Sequence, residues 1–440
     1  MKQKLVLIGN GMAGVRAIEE LLKYETDLYN ITVIGSEPHP NYNRIMLSPV
    51  LAGEKQIDDI ILNSYEWYKE NHIELITGDT VCKINRVKKS VETESGKSFA
   101  FDRLLIATGS MPFIIPVPGA DKQGVIGFRD IQDVDTMVEY SKKNKNAVVI
   151  GGGLLGLEAA NGLMKQGMNV TVVHLMDNLL ERQLDTTSSG MLKKSLEERG
   201  MKFMMQAQTA EILGEDAVTG IKFADGSSID TSLVVMAVGI RPNIELAQSA
   251  GLYCERGIVV SDTMQTYDPV IYAVGECVQH RNNCYGLVAP LFDQAKVAAN
   301  HLAQIGIARY EGSITSTKLK VTGIDLFSAG EFSEQEGDDV LIMQDAKEGV
   351  YKKLVVKDDI IKGAVMYGDT MDGTWYFQMM REKTNIADFR KTILFGQHDL
   401  GDAGHGDETR VMSLSDDAEI CGCNGVCKGD IVNAITSKGL

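Results

Sequence analysis

The sequence has no apolar run of about 18 residues, the length at which a segment is interpreted as membrane-spanning, so no spanning helix is expected. Positive charge is also scarce, because 44 Lys and Arg stand against 60 Asp and Glu and leave a net charge of −16. This balance argues against nucleic acid or an anionic membrane as the main partner. Only four apolar residues follow Lys4 before the first glycine, which is too short for the core of a signal peptide.

Cysteine is scarce as well, with seven in 440 residues. Four are scattered along the chain and three are crowded between positions 421 and 427. This distribution excludes a disulfide framework and favours a reduced, cytoplasmic protein with one thiolate site near its end. The chain length predicts two to four domains.

The most informative stretch is the first glycine motif, which follows a short apolar strand. Lys4 to Ile8 runs into Gly9-Asn10-Gly11-Met12-Ala13-Gly14, a G-x-G-x-x-G pattern that opens a helix. In such a motif the first glycine permits a tight turn, the second lets backbone approach a pyrophosphate, and the third lets helix and strand pack closely. The helix N-terminus then offers free N–H groups to the phosphates. We therefore predict a dinucleotide site here.

The chain repeats this opening about 140 residues later. Ala147 to Ile150 is a second strand, Gly151-Gly152-Gly153-Leu154-Leu155-Gly156 is a second G-x-G-x-x-G, and Asn169 to His174 is the next strand. Hairpin signals at Glu94–Lys97 and at residues 224–227 extend the similarity. Two dinucleotide units predict two dinucleotides, an arrangement that suits hydride transfer between a nicotinamide and a flavin.

The two units differ at the residue expected beside the adenosine ribose. Glu37 follows the second strand of the first unit, where a carboxylate binds both ribose hydroxyls, whereas His174 stands at the equivalent place in the second. His174 does not indicate whether the second unit binds NAD or NADP. Alternatively, it is a surface histidine at the end of a strand with no role in binding. Asp177, and the lack of Arg or Lys between Gln166 and Arg182, favour NADH and leave NADPH open.

Other residues are predicted to complete the flavin site. Arg44 suits a flavin phosphate or adenine, or is a solvated arginine. Gly275 and Glu276 end an apolar strand, with the acid placed for ribityl hydroxyls, and a helix is expected to begin near Pro290 with its N-terminus towards the flavin ring. Cys277 is interpreted as a buried thiol. Residues 40–56 contain no cysteine, so the redox thiol of disulfide reductases is missing and electrons must leave by another route.

The last third of the chain changes character. Strands are predicted at 324–328, 340–343, 350–356 and 360–367, as an antiparallel meander, and helices at 374–382 and 386–394, forming an α+β domain on the flavin side. The predicted domains are FAD-binding at 1–118 and 249–314, NAD(P)-binding at 119–248, α+β at 315–396, a linker at 397–417, and a partial iron–sulfur module at 418–440.

The crowded cysteines form the second site. Cys421, Cys423 and Cys427 precede a predicted helix, and thiolates at this spacing suit a two-iron cluster or zinc. Four ligands are needed, so a second cysteine pair would have to come from further sequence. The chain is therefore expected to be cut short, and an unliganded thiol cluster is the alternative.

In combination, these motifs resemble the large subunit of cytoplasmic NAD(P)H-dependent nitrite reductase over nearly the whole chain. The matching stretches include Ile8 to Gly14, Asn41 to Ser48, Gly151 to Ala160, His174 to Asp185, Gly275 to His280, Gly286 to Pro290, Gly330 to Leu341 and Cys421 to Asp430. The flavin subunits of assimilatory nitrate reductase share nearly all of them. The cysteine segment is similar to bacterioferritin-associated ferredoxin, and that resemblance implies Cys421 and Cys423 as 2Fe-2S ligands and excludes Cys427.

The resemblance implies an α/β fold with two Rossmann-like domains of the glutathione-reductase-like flavoprotein type, an α+β domain and a partial iron–sulfur module. The expected FAD ligands are Gly9, Gly11, Met12, Ala13, Gly14, Glu37, Arg44, Val81, Thr108, Gly109, Gly275, Glu276 and Pro290. The expected NAD(P) ligands are Gly151, Gly153, Leu154, Leu155, Gly156, His174 and Gly239. Glu158 is expected near the nicotinamide. The siroheme and 4Fe-4S cluster of that family are not expected on this chain.

The interpretation is that hydride passes from NADH, or NADPH, to FAD, and that single electrons then pass to an iron–sulfur or siroheme centre on this protein or a small subunit. A homodimer is one expected assembly. Three alternatives stay open: a reductase of a separate ferredoxin or rubredoxin, an NADH oxidase or disulfide reductase, and a non-catalytic flavin-bound scaffold or redox sensor.

Overall fold

A computed structural model describes residues 2–24, 27–319, 324–397, 416, 419–421 and 426–438. None of the helices in this described part combines the length and the apolar character needed to cross a bilayer.

The elements up to residue 126 alternate strands with short helices. In chain order they are β1 (Gln3–Ile8), α1 (Met12–Leu22), β2 (Tyr29–Ile34), β3 (Asn41–Tyr42), α2 (Leu47–Leu51), β4 (Ile61–Asn63), α3 (Tyr65–Glu70), β5 (Ile73–Ile76), β6 (Val81–Asn85), β7 (Ser90–Thr93), β8 (Ser98–Ala100), β9 (Arg103–Ile106), β10 (Ser110–Pro112) and β11 (Val125–Ile126), with 3-10 turns at Arg44–Met46 and Ile57–Ile60.

The elements of the middle of the chain repeat this alternation. They are α4 (Ile131–Lys143), β12 (Asn146–Ile150), α5 (Leu154–Lys165), β13 (Asn169–Val173), α6 (Thr186–Glu198), β14 (Lys202–Met204), β15 (Thr209–Leu213), β16 (Gly220–Phe223), β17 (Ser228–Asp230), β18 (Val234–Met236), β19 (Ile240–Pro242), α7 (Glu245–Ser249), β20 (Ile258–Val260), β21 (Ile271–Ala273), β22 (Val278–His280) and α8 (Val288–Leu302).

The remaining elements are mostly strands. They are β23 (Ser316–Leu319), β24 (Leu326–Gly330), β25 (Asp339–Asp345), β26 (Val350–Lys357), β27 (Ile360–Tyr367), α9 (Gly373–Glu382), 3-10 turns at Ala387–Phe389 and Ile393–Phe395, β28 (Glu419–Cys421), β29 (Val426–Cys427) and α10 (Lys428–Lys438).

The first parallel sheet has the order β21-β9-β1-β2-β5. Its strands are apolar almost throughout, as is usual for a parallel sheet covered on both faces, and Leu5 and Leu7 are fully buried. Ile8 pairs with Ile34 on one side and with Ile106 on the other, and Ile106 pairs with Ala273. The strands therefore end level, so the loops after them meet at one edge of the sheet, where ligands bind in open α/β folds.

The second parallel sheet has the order β11-β18-β12-β13-β14 and repeats the first. Ile150 pairs with Val173 and with Met236, so the loops after β12, β13 and β18 also meet at one edge. Each half carries a three-stranded antiparallel sheet, β6-β7-β8 and β15-β16-β17. Both predicted hairpin turns are present, with Thr93 N–H donating to Lys97 O and Phe223 N–H to Ser227 O.

The third sheet is antiparallel, with the order β23-β24-β27-β26-β25. The predicted meander is confirmed for β25 to β27, while β24 lies beside β27 rather than beside β25. A single helix over 386–394 is wrong, because this stretch forms two separate 3-10 turns. The helix predicted at 374–382 is confirmed as α9.

Candidate functional site

The first glycine loop joins β1 to α1. Gly9 has φ +103°, and a Cβ there would lie 2.2 Å from Ala107 O. A Cβ on Gly14 would lie 2.9 Å from Ala107 Cβ. These two glycines are thus required by the packing of the loop on β9. Gly11 differs, because a Cβ there would meet nothing within 4 Å. The open space above Gly11 fits the close approach of a pyrophosphate, so the loop suits the group that the motif predicts.

The first turn of α1 meets the loop that carries the second predicted acid. Met12 and Ala13 begin α1. Gly275 has φ +96°, and a Cβ on it would lie 3.1 Å from Ala13 Cβ. The Gly275 N–H donates a 2.9 Å hydrogen bond to Gln294 Oε1 on the buried side of α8, the helix that contains Pro290 in its first turn. Three predicted flavin-binding segments, far apart in sequence, therefore come together here.

Glu37 lies just beyond β2 and both of its carboxylate oxygens are engaged. The Tyr42 hydroxyl donates to Oε2 at 2.6 Å, and Arg44 Nη2 donates to Oε1 at 2.5 Å. Burial and the neighbouring Glu37 carboxylate raise the pKa of Tyr42, although the Arg44 cation opposes this shift. Glu37 is thus held at the strand end by side chains on β3 and on the turn that follows it.

Arg44 links Glu37 to a second group of polar residues. Its Nη1 donates at 2.7 Å to the carbonyl oxygen of Arg129, and the Arg129 guanidinium pairs with the Glu276 carboxylate. Glu276 also accepts a 2.7 Å hydrogen bond from the Ser110 hydroxyl. Polar contacts therefore connect the two acids, Glu37 and Glu276, through the two arginines between them. Sequence reasoning missed Arg129 and Ser110, because neither stands in a motif and each lies more than 140 residues from Glu276.

Thr108 and Gly109 follow β9 and lead into a crossing ribbon. The Thr108 hydroxyl donates to Asn243 O at 2.7 Å, and Asn243 N–H donates to Gly109 O at 2.9 Å. Strands β10 and β19 continue this pairing in antiparallel register. The ribbon thereby ties the loop after the first sheet to the loop after Gly239, which has φ +124° and open space around a Cβ.

Two further residues near the flavin site are buried. Val81 begins β6 within the core of the first half, and its contact with FAD stays a prediction. Cys277 is fully buried, as the sequence predicted, and burial raises the pKa of its thiol to about 11. It is therefore a protonated thiol at ordinary pH.

The second glycine loop repeats the geometry of the first. Gly151 has φ +120°, and a Cβ on it would lie 2.2 Å from Ala237 O, while a Cβ on Gly156 would lie 2.0 Å from Gly151 O. Gly153 faces open space, as Gly11 does. Leu154 and Leu155 begin α5, and Leu155 is partly exposed beside the loop. The second loop therefore also leaves room for a dinucleotide phosphate.

His174 follows β13, where the ribose residue was predicted, but it is buried rather than at the surface. Its Nδ1 accepts a 3.1 Å hydrogen bond from Gly152 N–H, and its Nε2 lies 3.0 Å from Asn178 O. Both ring nitrogens thus contact the protein itself.

Glu158 lies one turn into α5, and its carboxylate faces the first half of the chain. The Ser48 hydroxyl, on α2, donates to Glu158 Oε2 at 2.6 Å. Helices α2 and α5 cross closely, since a Cβ on Gly162 would lie 2.6 Å from Leu51 Cγ, and Gln166 Nε2 donates to Leu51 O at 2.7 Å. The start of α5 is thereby fixed against residues that follow Arg44. Contact of Glu158 with a nicotinamide stays a prediction.

The α+β domain makes its polar contacts with the second half of the chain, not with the flavin side as the sequence suggested. Tyr351 donates to Asp185 Oδ2 at 2.6 Å, Lys353 lies 3.6 Å from the same oxygen, and Tyr367 donates to Met191 O at 3.4 Å. Tyr351 and Lys353 are two apart on β26, so both side chains point to the same face of the sheet. That face, rather than the one covered by α9, meets α6.

The predicted metal ligands fall at or beyond the limits of the described residues. Cys421 ends β28, but its side chain is not described, and Cys423 lies outside the described residues. Most of the predicted linker, including His398 and His405, also lies outside them. Within the described part, no three His, Cys, Asp or Glu side chains converge as a metal site.

Comparison with known families agrees with this geometry. A model described as "Pyridine nucleotide-disulphide oxidoreductase" matches residues 3–301, and one described as "Rubredoxin NAD+ reductase C-terminal domain" matches residues 316–384. The crystal structure of NADH:rubredoxin oxidoreductase from Clostridium acetobutylicum superposes with a TM-score of 0.74 at 28% identity, covering 90% of this chain and all of that one. The predicted two-Rossmann flavoprotein fold is thereby confirmed.

Two curated relatives match the whole chain. Nitrite reductase [NAD(P)H] of Bacillus subtilis (strain 168) is 52% identical over 438 residues, covering 100% of this chain and 54% of the relative. The assimilatory nitrate reductase electron transfer subunit of the same organism is 44% identical over 439 residues, covering 100% of this chain and 56% of the relative. The resemblance predicted from the motifs is thus confirmed, and the chain spans about half the length of the curated relatives that it matches.

Proposed function

This chain belongs to the pyridine nucleotide-disulphide oxidoreductase family, and we propose that it binds FAD on the first glycine loop and NADH or NADPH on the second, and passes electrons to an iron–sulfur acceptor. The family makes it an NAD(P)H oxidoreductase and implies FAD and NAD(P)H as its cofactors. Bound FAD would supply the chemistry, accepting a hydride and releasing electrons one at a time.

One observation carries the proposal. Each glycine loop has a middle glycine, Gly11 or Gly153, that faces open space, although its neighbouring glycines are required by packing. The halves of the chain that carry the two loops are joined through the Ser48–Glu158 hydrogen bond and the α2–α5 crossing. A protein with one such loop on each of two packed halves can hold two dinucleotides, and we propose that their reactive rings meet between the halves.

The residues around the first loop have separate roles in this proposal. Glu37, held by Arg44 and Tyr42, would bind the adenosine ribose. Glu276, held by Arg129 and Ser110, would bind the ribityl chain. Glu158 would contact the nicotinamide carboxamide from the second half. None of these residues needs to transfer a proton, so their work is to bind and orient.

The cysteines near the flavin site bear on how electrons would leave the reduced flavin. No cysteine occurs in residues 40–56, and Cys277 is fully buried with its pKa raised to about 11. A dithiol or peroxidase cycle needs an accessible thiolate beside the flavin. These facts favour single-electron transfer to a metal centre over disulfide chemistry.

We propose nitrite reduction as the overall process that this chain serves, because of the 52% identity to the Bacillus subtilis nitrite reductase. Cys421 and Cys423 would be two ligands of a 2Fe-2S cluster completed by further cysteines, and siroheme and a 4Fe-4S cluster would lie beyond it. The electron transfer subunit of assimilatory nitrate reductase is the closely ranked alternative. A cytoplasmic location, and a homodimer, also stay proposals.

A second candidate is reduction of a separate small iron–sulfur protein or rubredoxin. The match of residues 316–384 to the C-terminal domain of rubredoxin reductase favours it, as does the likeness to NADH:rubredoxin oxidoreductase. The two candidates share every step up to the flavin and differ only in the acceptor.

The test is the visible spectrum of the purified chain, before and after anaerobic addition of NADH or NADPH. We expect a flavin spectrum that bleaches within seconds, and reoxidation when an iron–sulfur acceptor is added. A colourless protein that takes up no FAD would overturn the proposal, and a flavin spectrum that does not bleach would favour the scaffold or sensor. Adding rubredoxin, ferredoxin, or the siroheme-containing part of a nitrite reductase as the acceptor separates the two candidates by rate.

A further inference from the structure

His174 stands at the ribose position of the second unit, yet its ring belongs to the glycine loop. Gly152 N–H donates to Nδ1 at 3.1 Å, so Nδ1 is unprotonated, and the tautomer that also satisfies Asn178 O carries its proton on Nε2. A Cβ on Gly152 would lie 2.9 Å from His174 Cγ and 2.6 Å from Leu179 Cδ2. Gly152 is therefore glycine because His174 and Leu179 pack over it. This ring has no acceptor left for a ribose hydroxyl.

A carboxylate lies directly beside this ring. Glu181 Oε2 is 3.3 Å from His174 Nε2, and 38% of the Glu181 side chain is exposed. The carboxylate thus sits over the end of β13 with one side open to solvent. Among the described contacts of His174, Glu181 supplies the one carboxylate.

The segment between these two residues has the character of a nucleotide-contacting surface. Leu175 and Met176 are 61% and 47% exposed, although they are apolar and directly follow a buried strand. An exposed apolar pair at the carboxyl end of a parallel strand is suited to the face of an adenine ring. The neighbouring charges are the exposed side chains of Asp177 and Arg182.

We infer that Glu181, and not His174, is the acid beside the adenosine ribose of the nicotinamide cofactor, and that it selects NADH over NADPH. A carboxylate can accept hydrogen bonds from both hydroxyls of an unmodified ribose, whereas it repels the phosphate that NADPH carries at the same place. His174 is a positioning residue that shapes the glycine loop through its contact with Gly152. This inference deepens the proposed function and rests on it.

The test compares the flavin-containing protein with Glu181→Gln and Glu181→Arg variants, and with Glu198→Gln as a matched control on the exposed surface of α6. Calorimetry would measure the dissociation constants of ADP-ribose and 2′-phospho-ADP-ribose, and stopped flow would measure flavin reduction by NADH and NADPH. We expect the parent and the control to prefer ADP-ribose and NADH. Glu181→Gln should reduce the preference by roughly 10-fold, and Glu181→Arg should reverse it.

His174→Asn provides the contrasting result. Loss of the imidazole ring that packs over Gly152 should loosen the glycine loop, weaken both fragments to a similar extent and leave their ratio nearly unchanged. A ratio that shifts in His174→Asn and not in Glu181→Gln would overturn the inference, as would equal ratios in the parent and Glu181→Gln. Failure of the parent to bind either fragment would instead overturn the nucleotide assignment of the second loop.

Discussion

The Ser48 hydroxyl donates a 2.6 Å hydrogen bond to the Glu158 carboxylate, and this contact joins the two dinucleotide-binding halves. Ser48 lies on α2, which follows Arg44, and Glu158 lies in the second turn of α5, which begins at the second glycine loop. The nearby crossing of Leu51 over Gly162 keeps the two helices close. These two contacts hold α5 of the second half against α2 of the first half.

Ser48→Ala should slow flavin reduction by NADH. Without the Ser48 donor the Glu158 carboxylate loses one hydrogen bond that orients it, and a hydrogen bond to a charged group contributes about 1.5–3 kcal/mol. If half of that free energy is lost from the transition state, the rate falls by roughly 4- to 13-fold. Single-turnover stopped flow at saturating NADH measures this step directly.

Ser98→Ala is the control for this change, because Ser98 is exposed on β8 and lies outside the site. Its flavin reduction should match that of the parent. An unchanged rate in Ser48→Ala, with an unchanged KM for NADH, would show that Glu158 does not take part in cofactor positioning.

Glu37→Ala should weaken retention of FAD without unfolding the protein. The change removes the carboxylate proposed to bind the adenosine ribose, and it leaves the partly buried Arg44 in contact with the Arg129 carbonyl oxygen and the Tyr42 ring. We expect the FAD dissociation constant to rise by roughly 10-fold or more, since a hydrogen bond to a charged group contributes about 1.5–3 kcal/mol.

The measurement is the flavin-to-protein absorbance ratio after extensive dialysis, with circular dichroism as the check on folding. Glu70→Ala, on the exposed end of α3, is the matched control and should retain FAD as the parent does. A Glu37→Ala protein as yellow as the parent would show that Glu37 does not bind the ribose.

The sequence was sufficient to predict the parts of the site that depend on local pattern. The strand–glycine–helix units at Gly9 and Gly151 were found because each glycine role is encoded within a few residues, and strand β27 was predicted with its observed bounds. Because the sequence repeats this unit, it also predicted two similar sites, one in each half of the chain. The Arg129–Glu276 pair was not predictable, because its partners are 147 residues apart and only the packed sheets bring them together.

Two structural predictions failed for physical reasons that the sequence hides. The stretch 386–394 has apolar residues at helical spacing, but Ile386 N–H is held by Asp359 O and the two ends turn separately as 3-10 helices. The α+β domain was expected on the flavin side, but the sequence carries no local pattern that says which half of the chain its sheet packs against. Only the polar partners Tyr351 and Lys353 show which face meets Asp185.

Asp185→Asn should loosen the α+β domain and reduce stability by about 1–3 kcal/mol, the range for a hydrogen-bonded buried group. Although burial opposes ionisation, hydrogen bonds from Tyr351 and Ser188 lower the pKa of Asp185 below its ordinary 3.8. A carboxyl whose pKa is lowered on folding stabilises the protein above its unfolded pKa, and this stabilisation is lost as pH falls through the folded pKa.

The measurement is the thermal midpoint of the parent and of Asp185→Asn at a series of pH values. The difference in thermal midpoint between the two proteins should be largest at neutral pH. It should shrink below about pH 4, because the parent then loses the charge that the variant lacks. Asp216→Asn, at an exposed turn, should show no such gap. A gap that is constant down to strong acid would mean that Asp185 acts through packing and not through its charge.

Alkylation of cysteine should leave flavin reduction by NADH unimpaired. Because burial raises the pKa of Cys277 to about 11, only about one thiol in a thousand is ionised at pH 8, and the side chain is fully buried. Iodoacetamide should therefore label the exposed Cys82 and Cys284 and leave Cys277 unlabelled.

Peptide mapping of the labelled protein, alongside stopped-flow reduction, measures both outcomes. The control is the guanidinium-unfolded chain, in which Cys277 becomes reactive. If loss of activity instead follows labelling of Cys277, a thiol takes part in the reaction, and the case for direct electron transfer to a metal centre would give way to disulfide reductase chemistry.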